Sequence, residues 1–138
     1  MKNYQKFIDA CLECLVTCER CITDCVAAGN KDCILLCRDC ADLCALTGRF
    51  EARGSDFSQE LFSLCAEVCK ECSVECAMHA SHSVSCKECA IACKKCVTLF
   101  EELEKAYSWK WRFTNILQIC GLDSYLSTVC CLYANCQP

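Results

Sequence analysis

Residues 11–25 read CLECLVTCERCITDC and place cysteine at 11, 14, 18, 21 and 25, in steps of 3, 4, 3 and 4. A β-strand would need steps of 2 to keep these thiols on one face. Steps that alternate between 3 and 4 put them along one side of an α-helix. The pattern returns three times. Cys33, Cys37, Cys40 and Cys44 lie in CILLCRDCADLCAL, Cys65, Cys69, Cys72 and Cys76 in CAEVCKECSVECAMHASH, and Cys86, Cys89, Cys93 and Cys96 in CKECAIACKKC. Seventeen cysteines therefore keep one heptad-like register over four segments. Zinc ribbons and treble clefs show isolated CxxC pairs instead.

The residues around this seam fit helices. Glu13, Glu19, Arg20, Asp24, Arg38, Asp39, Lys70, Glu71, Lys94 and Lys95 fall off it, while Ile8, Leu15, Ile22, Leu36, Leu43, Leu61, Val68, Ala90 and Val97 form a second apolar stripe beside it. Each helix then buries a cysteine line flanked by aliphatics and exposes charge. Gly29-Asn30 separates the first two helices, Gly48 to Ser55 the second and third, and the serine-rich Ala80 to Ser85 the last two. Ser55 or Asp56 is placed to cap the third helix. Short links between consecutive helices make antiparallel neighbours. The expected fold is all-α, an antiparallel up-down-up-down four-helix bundle with a cysteine-lined core.

Composition narrows the class further. The chain has 138 residues, 21 of them cysteine, with one proline, four glycines and a net charge of −4. That length suits one domain. Disulfide-rich miniproteins are loop-rich and punctuated by Gly and Pro, unlike this chain. The apolar content excludes disorder, no run of 18 apolar residues suggests a membrane span, and no basic block exists to hold nucleic acid. The start, MKNYQKFIDACLECL, carries no export signal, so a cytosolic location with reduced thiols is expected. Cysteines three or four apart on one helix are also poorly placed for disulfide geometry.

With helices one and three running up and two and four down, the seam residues stack in layers. The top layer holds Cys25, Cys33, Cys76 and Cys86, followed by Cys21, Cys37, Cys72 and Cys89. Next come Cys18, Cys40, Cys69 and Cys93, then Cys14, Cys44, Cys65 and Cys96. At 3.5 residues per layer, the column is roughly 15–20 Å long. Cys11 is expected one layer lower, beside Thr47, Phe62 and Phe100, with Tyr4, Phe7 and Leu103 closing that end. The other end differs. His79 lies three residues past Cys76 and His82 four before Cys86, so both histidines of the chain sit at the same mouth, with Met78 adjacent. They read as a place where metal is received before it passes to the thiols.

Free cysteine packs as a small hydrophobe, but a thiol core gives up about 0.8 kcal/mol per methylene missing relative to Leu or Ile. Packing alone does not explain seventeen of them. Thiolates bind soft ions. A tetrahedral Zn(II) on four thiolates leaves −2 in each layer, a costly charge to bury. Cu(I) takes two or three sulfurs, and a thiolate can bridge two coppers, so about one copper per thiolate leaves a nearly neutral column of roughly 15–20 ions. Iron–sulfur ligation fits less well, because the CxxCxxCxxxCP run is absent. No catalytic triad, phosphate loop or HExxH appears, so no enzyme activity is expected. A zinc or cadmium buffer akin to metallothionein, and a thiol redox protein using Cys11/Cys14 or Cys86/Cys89, are the alternatives.

The four quoted segments resemble the bacterial copper storage proteins, in their cytosolic branch, over residues 1 to about 106. The resemblance implies a four-helix bundle that stores many Cu(I) ions on the seventeen seam cysteines, with His79 and His82 at the open end. It also implies a homotetramer of bundles. A copper chaperone is a candidate delivery partner. Residues 107–138 depart from the family. They hold six of the twelve aromatics, Tyr107, Trp109, Trp111, Phe113, Tyr125 and Tyr133. Cys120, Cys130, Cys131 and Cys136 lose the register. The expected organisation is a metal-storage bundle over 1–106 and an appended segment over 107–138. That segment reads as packing against the bundle or lacking fixed order. Its alternative role is an oligomer contact or a surface thiol group collecting copper.

Overall fold

The computed structural model describes residues 2–119. Four helices, α1 (Lys2–Ala28), α2 (Lys31–Ala52), α3 (Ser58–His79) and α4 (Val84–Ile119), account for nearly all of them, with no strand among the described residues. The chain divides into two compact units, 1–103 and 104–138. The bundle lies in the first; in the second, the described backbone continues α4 to Ile119.

The turn between α1 and α2 is set by two residues. Gly29 adopts φ 71°, a left-handed conformation that costs a side-chain-bearing residue strain. The Asn30 N–H then reaches the Cys25 carbonyl at 3.0 Å and the Gly29 N–H reaches Val26 at 3.3 Å, the Schellman arrangement that satisfies the last carbonyls of a helix. Asn30 also starts the next helix, since its Oδ1 accepts the Cys33 N–H. One residue therefore ends α1 and begins α2, which holds the two helices antiparallel.

The second break lies further along the chain than the sequence suggests. α2 passes through Gly48 and ends at Ala52, with Gly54 at φ 63° and the Ser55 N–H bonded to the Phe50 carbonyl at 2.9 Å. Gly48 is buried inside the helix, and a Cβ there would lie 3.5 Å from the Cys11 Cβ. Its smallness serves the close approach of α1, not a turn. The cap also differs. Phe57 occupies the N-cap of α3 without a side-chain bond, while Ser55 Oγ accepts the Phe57 N–H within the turn. Ser83 caps α4 by accepting the Cys86 N–H at 3.2 Å.

The core follows the seam. All seventeen seam cysteines are buried, none more than 3% exposed. The aliphatic stripe from Ile8 to Val97 is half-buried along the helix interfaces, and the off-seam charges are exposed. Between helices, Ser73 Oγ donates to the Ala90 carbonyl at 3.0 Å and Lys95 pairs with Glu13 on the surface. The exposed pair contributes little. At the lower end Phe7, Phe62, Phe100 and Leu103 are buried, with Phe62 edge-on to Phe7 at 4.9 Å and to Phe100 at 5.7 Å between centroids. Each buried phenyl contributes about 1.5–3 kcal/mol of transfer energy, so this hydrocarbon layer anchors a bundle whose remaining core is thiol.

Candidate metal centre

Helical steps of 3 and 4 aim every seam thiol at the bundle axis, and the sulfurs meet there. Between α2 and α3 the pairs are Cys33–Cys76 (3.8 Å), Cys37–Cys72 (3.7 Å), Cys40–Cys69 (3.5 Å) and Cys44–Cys65 (3.8 Å), in the register read from the sequence. The diagonal α2–α4 pairs Cys37–Cys89 and Cys40–Cys93, at 3.9 and 3.8 Å, also match it.

Helix α1 does not keep that register. Against α4 it pairs Cys11–Cys96 (3.9 Å) and Cys14–Cys93, Cys18–Cys89 and Cys21–Cys86 (3.5 Å each), one cysteine step nearer the mouth than flat layers require. Against α2, Cys14 lies 3.6 Å from Cys40, and Cys33 touches both Cys21 (3.8 Å) and Cys25 (3.3 Å). The flat layers are thus corrected to a staggered column. Cys11 belongs to the lowest sulfur quartet with Cys44, Cys65 and Cys96, and Phe7 packs with Phe62, which in turn meets Phe100.

Contacts of 4.0 Å or less run without a break from Cys25 and Cys86 at the mouth to Cys44 and Cys65. The Cys11–Cys96 pair joins them through the lowest quartet, whose sulfurs lie within 4.8 Å of one another. All seventeen are free thiols. The quartets overlap: Cys14, Cys18, Cys40, Cys44 and Cys93 each serve in at least two. Separate closed four-sulfur sites cannot all use the same ligand as a terminal donor, whereas bridging thiolates can. The CxxC pairs Cys11/Cys14 and Cys86/Cys89 are no more than 1% exposed, unlike an accessible redox pair.

Burial pushes Cys25 up to about 12 and raises Cys33 and Cys86 as well. Deeper in, the contact between Cys14 and Cys18 pulls Cys14 below the ordinary thiol range and lifts Cys18 above it. An incoming soft cation must displace thiol protons to bind.

The mouth gathers both histidines. Their rings meet edge-to-face at 5.6 Å, His79 being partly buried and His82 exposed. Met78, 62% exposed, lies off the seam. Two partners were not singled out in the sequence. Asn30 Nδ2 lies 2.6 Å from His79 Nε2, and Glu75 Oε1 lies 3.0 Å from the same nitrogen. The Asn30 amide and the Glu75 carboxylate thus meet the same ring nitrogen, one joining His79 to the α1–α2 turn and the other to its own helix. Glu75 was legible as one turn before His79, and Asn30 as the residue after the turn glycine. Cys120, Cys130, Cys131 and Cys136 lie outside the described residues.

Fold and core define the class: a four-helix bundle whose interior is a continuous column of thiol sulfur. Residues 1–105 match the model of the copper storage protein family, and the chain belongs to that family. It is 39% identical over 101 residues to the uncharacterized cysteine-rich protein YhjQ of Bacillus subtilis, covering 70% of this chain and 92% of that one. Among solved structures, Cu(I)-bound copper storage protein BsCsp3 superposes with a TM-score of 0.68 at 34% identity, covering 72% of this chain and 96% of the other. A cytosolic copper storage protein from Streptomyces lividans, with five coppers, gives a TM-score of 0.70 at 32% identity, covering 74% and 92%. No helix among the described residues is long and apolar enough to cross a membrane.

Proposed function

We propose that this chain stores Cu(I) on the seventeen seam thiolates from Cys11 to Cys96. The observation that carries this reading is the column itself: sulfurs in unbroken contact, in quartets that share members. Bridging by monovalent copper uses shared ligands and cancels their charge, so each +1 ion offsets about one −1 thiolate. Zn(II) in closed four-thiolate sites would leave −2 at each, buried beside phenyl rings and other sulfurs. The membership of the copper storage family and the Cu(I)-bound relative support copper over zinc or cadmium.

Copper reaches the column at the mouth. His79 lies against Asn30, whose Oδ1 caps α2 at Cys33, His82 meets the His79 ring, and the Glu75 carboxylate favours a cation beside them. The phenyl layer closes the other end. The working protein resides in the cytosol, as does the Streptomyces relative by its description, receives copper from a chaperone and assembles as a homo-oligomer. Residues 1–106 form the storage domain, and 107–138 are a C-terminal extension appended to it. The protein performs storage and no catalysis.

Anaerobic titration of the fully reduced chain with Cu(I) against a coloured chelator tests the proposal. The end point falls above ten coppers per chain, with about four for Zn(II) in closed sites. A Cu(I) end point of one to four would defeat it.

A further inference from the structure

Thr47 is fully buried, and its hydroxyl is without a hydrogen-bond partner, the one such buried side-chain oxygen or nitrogen among the described residues. Other helical threonines behave differently. Thr17, Thr23 and Thr98 each return their hydroxyl to a carbonyl of their own helix, at 3.0, 3.1 and 3.1 Å. Thr47 leaves that local bond unmade. It continues the α2 seam, three residues past Cys44, in the place where a further thiol would stand.

Its surroundings follow from the slide of α1. By helical register Thr47 falls one step below Cys44, toward the end of the bundle that the Phe7, Phe62 and Phe100 rings close, and hydrocarbon rings offer no acceptor of the strength a hydroxyl proton needs. Directly above lies the quartet Cys11, Cys44, Cys65 and Cys96. A neutral thiol sulfur is a weak acceptor; a metal-bound thiolate, which keeps charge and lone pairs, is a good one. The hydroxyl oxygen is too hard to be a useful Cu(I) ligand. What remains is donation to sulfur.

We propose that Thr47 is a positioning residue for the closed end of the column, donating its hydroxyl proton to a copper-bound thiolate of the Cys11, Cys44, Cys65 and Cys96 quartet. This rests on the copper-storage reading. The empty bundle carries an unpaired buried hydroxyl, which is costly, and loading supplies its acceptor. Thr47 thereby couples stability to occupancy: it weakens the apo state and tightens the innermost coppers. Outer-shell donors of this kind commonly change metal affinity by about 10–100-fold.

The signature is a pair of effects with opposite signs. In Thr47→Val, which keeps the shape and removes the hydroxyl, the melting temperature of the reduced apo protein rises by roughly 3–5 °C. In the same variant, the one or two most tightly held coppers pass to a chelator with affinity lowered about tenfold. Total capacity stays that of the wild type, because no thiol is lost. Thr47→Ser, which retains the donor, holds those coppers as the wild type does. A Thr47→Val protein that melts lower in the apo state, or keeps its last coppers as tightly as the wild type, would overturn the proposal; the first of these results would show the hydroxyl already bonded, for instance to a buried water. Wild-type capacity, measured in the same series, separates the two readings. A capacity of four or fewer removes the storage reading and Thr47 with it, while normal wild-type storage with unchanged Thr47→Val behaviour removes only the role of Thr47.

Discussion

Replacing Phe62 with alanine tests how the bundle is closed. Phe62 is 6% exposed and forms the middle of a three-ring cluster, edge-on to Phe7 at 4.9 Å and to Phe100 at 5.7 Å. Truncating a buried phenylalanine costs about 3–5 kcal/mol, including the cavity it leaves, and each lost edge-to-face pair accounts for about 0.5–1.5 kcal/mol of that. A domain of this kind has roughly 5–15 kcal/mol of stability in total. Sulfur offers little compensation, because thiol side chains are small and the next layer up contains only them. Urea unfolding of the reduced apo protein, followed by far-UV circular dichroism under anaerobic conditions, should show the midpoint of Phe62→Ala falling by about 1–3 M at an ordinary dependence on denaturant. Copper capacity should be unchanged, since no ligand is removed. A midpoint within about 0.3 M of the wild type would refute the reasoning, because it would mean the rings do not form a packed floor beneath the sulfurs.

Two other outcomes are expected. Replacing His79 and His82 together with phenylalanine slows Cu(I) uptake, followed by stopped-flow absorbance, and leaves the final capacity intact; an unchanged rate would remove the histidines from the loading route. Burial lifts the Cys25 thiol from 9.0 to about 12, so its alkylation, which needs the thiolate, continues to rise about tenfold per pH unit above pH 9, where an ordinary thiol levels off. Peptide mass spectrometry after pulsed alkylation reads this directly, and a plateau near pH 9 would contradict it.

The helical period and the inward face of every seam cysteine were legible because steps of 3 and 4 have one structural meaning. The α2–α3 register was legible for the same reason. The position of α1 along the column was not. Seam thiols recur every 3.5 residues on average, so a slide of one step exchanges one cysteine for another and leaves the pattern on each face unchanged. The slide brings Phe7 against Phe62, a contact that no spacing rule announces. Gly48 was misread as a break because glycine is a weak helix former. In the structure it sits where α1 passes close at Cys11, and Gly54, with its left-handed backbone, ends the helix instead. At the mouth, the two histidines were found by counting along the seam. Asn30 was not, because its role depends on the α1–α2 turn meeting the end of α3, whereas Glu75 is a neighbour of His79 one turn back on the same helix.

X-ray absorption at the copper edge of the fully loaded, reduced protein tests the central claim most directly. The expected first shell is made of sulfur, about two to three atoms per copper, together with short copper–copper scattering from thiolates shared between ions. A first shell dominated by nitrogen or oxygen, or isolated coppers without neighbouring metal, would contradict it.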